Sequence, residues 1–224
     1  MNTLIIIILV IFLILSFLIL TLNYNSSKIA LFYFGLCLVG YLLAFRNFSL
    51  LNLSLPASIF LYPAIISLLY LLIEKSSLKD TNELIMKKDY LLFITILLLM
   101  LTSGYIPSVN DSNAINIQNT FGNNFAILIA YPLSLMISEY LLVKVYTKLK
   151  KIYNSPFLTI IITSSLAITI YLLIYNLIVN ITILEPLKLF YSVALSYLIE
   201  IILTIIFYLS IISIFPKKKV KKWI

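Results

Sequence analysis

Long apolar runs alternate with short polar links along the whole chain. Seven runs approach or exceed the length that crosses a bilayer: Thr3–Leu22, Ile29–Phe45, Leu55–Ile73, Tyr90–Ile106, Asn124–Lys144, Phe157–Thr182 and Leu189–Phe215. Continuous apolar runs of this kind favour helices over the alternating pattern of a membrane barrel. The expected fold class is therefore all-α, a polytopic transmembrane helical bundle of about seven spans. The first run lacks a basic leader and a small-residue cleavage site, so it reads as a retained helix. The expected organisation is an additional N-terminal helix with its linker over residues 1–28, a six-helix membrane domain over 29–216, and a basic tail over 217–224.

Two of the runs match each other. Leu55–Lys75 and Asn124–Lys144 each carry a Tyr-Pro pair, Tyr62-Pro63 and Tyr131-Pro132, 69 residues apart, and each ends in a lysine at the same offset. Proline removes a backbone donor and exposes a carbonyl. Matched breaks in two membrane helices are a pattern that transporter folds leave in sequence; the same prolines also suit simple kinks repaired by neighbouring serines such as Ser134.

Composition agrees with membrane residence. The chain has 224 residues, 62% of them hydrophobic and only 11% charged, and its mean hydropathy is +1.12. The net charge of +8 comes from cations at the ends of apolar runs and in the tail. That placement is a topology signal, with no aromatic-interleaved basic surface for nucleic acid. The link Glu74–Asp89 reads as the largest polar loop and holds Lys75, Lys79, Lys87 and Lys88; the link Pro107–Asn124 has one acid and no cation. The expected location is the cytoplasmic membrane, with the C-terminus inside and the N-terminus outside. The lone Cys37 excludes an intramolecular disulfide.

Polar residues inside apolar runs are the candidate chemistry. Glu200 lies near the middle of the last run, where an acid costs about 3 kcal/mol and should face protein or water. Ser192, Ser196, Glu200 and Thr204 recur every four residues and share one helix face, with Tyr197 beside them. A second stripe holds Ser165, Thr169, Asn176 and Asn180. Glu139 sits five residues before Lys144 and can reach toward the interface along its stem. The candidate substrate-binding set is Glu200, Tyr197, Ser196, Glu139, Ser138, Tyr70 and Asn176. Hydroxyls and a neutral carboxyl that merely hold helices together would produce the same stripes.

Absences narrow the classes. The chain has no histidine and no HExxH, GxSxG, Walker A or GxGxxG pattern, and its eight acids are scattered. Neither an enzyme, a metal site nor a cofactor is expected. The expected partners are a small-molecule substrate and the lipid bilayer, with homo-oligomers or partner subunits compatible and nucleic acid not.

From about Ala30 to Lys217 the chain resembles the queuosine precursor transporter family, also called the vitamin uptake transporter family. In IFLYPAIISLLYLLIEKSS, Pro63 and Glu74 match the family pattern, Tyr70 stands where an acid is expected, and Lys75–Ser77 replace a Tyr-Gly pair. In LMISEYLLVKVYTKLKK, Ser138 and the basic end match, Glu139 replaces Gln and Leu142 replaces Asp. Ser164 and Ser165 fall where a serine is expected, though the acid that should follow is missing. SYLIEIILTIIFYL keeps Tyr197 and has Glu200 where the family often has Lys. The resemblance implies transport of 7-deazaguanine compounds such as preQ0 or preQ1, with a carboxylate on the guanine-like edge and an aromatic ring on its face. A substrate-capture subunit of an ATP-driven vitamin importer, or a structural subunit of a membrane complex, are the alternatives.

Overall fold

The computed structural model describes residues 25–50, 53–104, 124–153, 155–180 and 185–214, together with 11, 14 and 115. The first apolar run, apart from Ile11 and Ile14, and the basic tail lie outside the described residues. Six α-helices make up most of what is described: α1 Ser26–Ala44, α2 Tyr62–Lys75, α3 Leu78–Gly104, α4 Phe125–Leu149, α5 Pro156–Val179 and α6 Pro186–Ile214. Among the described residues, five segments are long and apolar enough to cross a membrane: Ser26–Ala44, Ala57–Lys75, Phe125–Leu149, Pro156–Val179 and Pro186–Ser210.

Local chemistry explains the helix starts. Asn25 caps α1 by accepting from the Lys28 N–H at 3.2 Å. Ser155 caps α5, where Pro156 occupies a first-turn position that needs no donor.

Three expectations about segment boundaries are corrected. Leu55 and Pro56, expected to open the third span, instead end an antiparallel hairpin, β1 Asn47–Leu50 with β2 Leu53–Pro56, and a 3-10 turn follows at Ala57–Phe60. The reason is a period-two pattern, Asn-Phe-Ser-Leu and Leu-Ser-Leu-Pro, that suits strands better than a helix. Leu55 points from this hairpin into the core and is fully buried. Secondly, Pro63 does not kink a helix; it sits in the first turn of α2. Thirdly, the polar link before the fourth span is helical from Leu78 onward and continuous with that span. A reciprocal cap starts it: the Asp80 N–H donates to Ser77 Oγ at 3.1 Å, and the Ser77 N–H reaches Asp80 Oδ2 at 3.4 Å.

Helix α2 is the axis of the bundle. Every residue from Tyr62 to Leu72 is buried, as expected of a helix that is apolar all round. At 14 residues it is about 21 Å long, short of the ~30 Å hydrocarbon core, and the 3-10 turn before it supplies the remaining depth. Helices α1 and α6 pack on α2, α4 pairs extensively with α5, and α3 lies at the edge, seated chiefly on α4.

Candidate functional site

The two Tyr-Pro pairs meet at one side chain. Tyr171, buried on α5, stacks on Tyr62 with ring centroids 4.0 Å apart and planes 18° apart. Tyr131 approaches the same ring edge-on at 6.1 Å. The repeated stretches thus place their tyrosines on two sides of a single aromatic, in arrangements aromatic pairs prefer.

An unpartnered carboxyl lies within electrostatic reach of this ring. Glu200 on α6 is fully buried within electrostatic reach of Tyr62 and Tyr171, and neither carboxyl oxygen has a hydrogen-bond partner. Ser58 adjoins the Tyr171 hydroxyl, and Tyr131 Oη, buried and unpartnered, lies toward α1. Buried polar groups are nearly always satisfied, so a carboxyl with both oxygens unpartnered demands a cause. Sequence reasoning found Glu200 but missed Ser58, Tyr62, Tyr131 and Tyr171; the matched Tyr-Pro pairs were the available signal for two of them.

The other expected site residues do not converge on Glu200. Ser196 shares its buried face, but Tyr197 points toward α5 and hydrogen-bonds Ser165. Asn176 donates to Leu172 O at 2.8 Å and accepts from Asn180 at 2.7 Å, a capping arrangement at the end of α5. Tyr70 meets Ile160 O and the hydroxyls of Thr163 and Ser164. Ser138 donates to Leu135 O at 3.0 Å and lies beside the Tyr62 hydroxyl.

Glu139 does not reach the interface. It is fully buried, and its Oε2 lies 2.6 Å from Lys88 Nζ, whose side chain is 1% exposed. The pair was hidden because Lys88 looked like a loop residue; helix α3 carries it inward against α4. Asp89 Oδ1 stands 2.6 Å from the same ammonium without hydrogen-bond alignment. Burial pulls the Lys88 pKa down, but Glu139, Cys37 and Asp89 together outweigh it and the net direction is upward. Burial also pushes Asp89 above the usual carboxylate range, with Lys88 opposing. The Tyr33 hydroxyl lies beside Glu139.

Tyrosine hydroxyls tie helices together through backbone carbonyls. Tyr62 donates to Ala167 O at 3.4 Å and Tyr175 to Ala44 O at 3.5 Å. Tyr41 donates to Leu128 O at 3.3 Å, and this carbonyl is four residues before Pro132, the one that proline leaves without an in-helix partner. Tyr131, the next residue back, packs its hydroxyl against Gly40 of α1 so closely that a Cβ there would overlap it. At the far end of α2, Glu74 receives the Tyr146 hydroxyl at 2.6 Å and pairs with Lys150.

The described cavities lie elsewhere. The smallest, about 10 Å³, sits between α5 and α6 near Ser164 and Thr204. Two larger ones, 770 and 560 Å³, follow the seam between α3 and α4. None of the three is lined by Glu200, whose side chain is fully buried. In comparisons with protein-family models, curated proteins and solved structures, nothing matches this chain.

Proposed function

We propose that this chain is a membrane transporter whose binding site for a small heteroaromatic compound is the closed cluster around Tyr171 and Glu200. One observation supports it above the others: the Glu200 carboxyl is buried with neither oxygen partnered, within electrostatic reach of the stacked Tyr62–Tyr171 pair. A planar ligand inserted at Tyr171 would replace one ring of the stack. Its ring N–H and amino donors would meet the Glu200 carboxylate, and the hydroxyls would serve its acceptors. Resemblance to queuosine precursor transporters makes 7-deazaguanines such as preQ1 the first compounds to test. Because the cluster is closed, entry requires α6 to move relative to α2 and α5, as expected of alternating access.

A second reading is favoured by the dryness of the site: a packing subunit of a membrane complex, with Glu200 held as an internal staple. Thermal stability of the purified protein separates the two. A compound that binds only the folded form at a hundred times its Kd adds about 2.7 kcal/mol. Transport predicts a dose-dependent rise in apparent Tm with preQ1 or preQ0 that is lost in Glu200→Leu. Absence of any shift across deazapurines, nucleobases and vitamins selects the packing subunit.

A further inference from the structure

The two large cavities between α3 and α4 are one seam. Along α4, Phe125, Ile129, Met136 and Tyr140 line the 770 Å³ groove, and Tyr140, Lys144 and Lys148 line the 560 Å³ pocket. These positions recur at intervals of three, four or multiples of them, which places them on one helix stripe. On α3 the matching stripe runs from Leu78 and Asn82 through Met86 and Phe93 to Met100. Polarity changes at Tyr140, the residue common to both cavities. On one side the walls are aliphatic and aromatic; on the other they offer two lysines, Asn82 and Thr147.

The groove runs deep into the membrane. From Met86 to Met100 the α3 wall rises fourteen residues, about 21 Å at 1.5 Å per residue, within the ~30 Å hydrocarbon core. Lys144 and Lys148 are exposed, and neither has an ion-pair partner among the described residues. The one acid lining the seam, Asp89, is held beside Lys88 on the apolar side of Tyr140. A long apolar channel that opens onto two uncommitted cations has the charge and shape of an anionic phospholipid.

We propose that the α3/α4 seam is a specific site for an anionic phospholipid, with an acyl chain between the two helices and the phosphate on Lys144 and Lys148. This site is separate from the Tyr171 cluster and does not rest on the transport reading. Each lysine near an anionic headgroup contributes about 1 kcal/mol, so two give about 30-fold preference for a charged over a zwitterionic lipid at 1.4 kcal/mol per tenfold.

The test is native mass spectrometry with thermal denaturation of delipidated full-length protein, titrated with phosphatidylglycerol, phosphatidylcholine of the same chains, or inorganic phosphate. Wild type is expected to retain phosphatidylglycerol about 30-fold better than phosphatidylcholine and to ignore inorganic phosphate. Lys144→Ala/Lys148→Ala should bind both lipids equally, Lys144→Arg/Lys148→Arg should keep the preference, and Ile129→Trp should weaken both lipids by filling the groove. Equal retention of the two lipids by wild type, a preference unchanged in the double alanine variant, or equal stabilisation by inorganic phosphate would each overturn the proposal.

Discussion

Pro132 and Tyr41 form a unit that can be measured. Proline at 132 deprives Leu128 O of its helical donor, and the Tyr41 hydroxyl, arriving from α1 at 3.3 Å, takes that donor's place. Leu128 is fully buried, so water cannot substitute. An unsatisfied buried carbonyl costs about 1–3 kcal/mol, while interhelical hydrogen bonds in membranes average ~0.6 and reach ~1.7. The 3.3 Å distance argues for the weaker half of that overlap, and Tyr41→Phe should cost about 1 kcal/mol. With Pro132→Ala the new N–H at 132 can bond Leu128 O itself, and Tyr41→Phe should then cost almost nothing. The double-mutant cycle, read from reversible unfolding in mixed micelles, should give a coupling of about 1 kcal/mol, within the range of directly interacting pairs. Additivity within ~0.3 kcal/mol would refute the idea that the tyrosine serves the carbonyl that proline frees.

Other consequences follow from single contacts. Gly40→Ala should destabilise by about 1–3 kcal/mol through overpacking on Tyr131, and Tyr131→Phe should recover part of the loss, because the next ring atom stands 3.2 Å from the added methyl; chemical denaturation of both variants decides it. Lys88→Met leaves Glu139 buried without its partner and should cost about 3–5 kcal/mol, whereas Lys88→Met/Glu139→Leu should return close to wild-type stability; equal losses in the two variants would deny that the ion pair is the cause. Ser77→Ala removes the cap of α3 and should lower stability by about 1 kcal/mol, with faster amide exchange confined to the first turn of that helix.

Much of the bundle was legible because membrane helices declare themselves by length and apolarity. What escaped was decided by shorter patterns. The hairpin before α2 follows a two-residue alternation inside a stretch that is apolar enough to pass for a span. Helix α3 was cut at Tyr90 because charge counts as a loop signal, yet the Ser77–Asp80 cap was written in the sequence and begins the helix a full three turns earlier. That misplacement hid the Lys88–Glu139 pair. For the site, intramembrane acidity pointed correctly to a buried Glu200, but helix-face stripes do not say which face of a neighbour they meet. Tyr197, Tyr70 and Asn176 therefore found other partners. Most of the tyrosines fall outside the candidate set, although their hydroxyls supply much of the polar contact between helices.

Whether the orphaned atoms around Tyr171 await a substrate is tested most directly by uptake into proteoliposomes containing the purified protein. Radiolabelled preQ1 should accumulate with wild type and fall to the level of empty vesicles with Glu200→Leu, while Tyr197→Phe, which acts outside the cluster, should leave uptake unchanged. Uptake that is the same with wild type and Glu200→Leu, or absent with wild type for every deazapurine offered, would contradict the account.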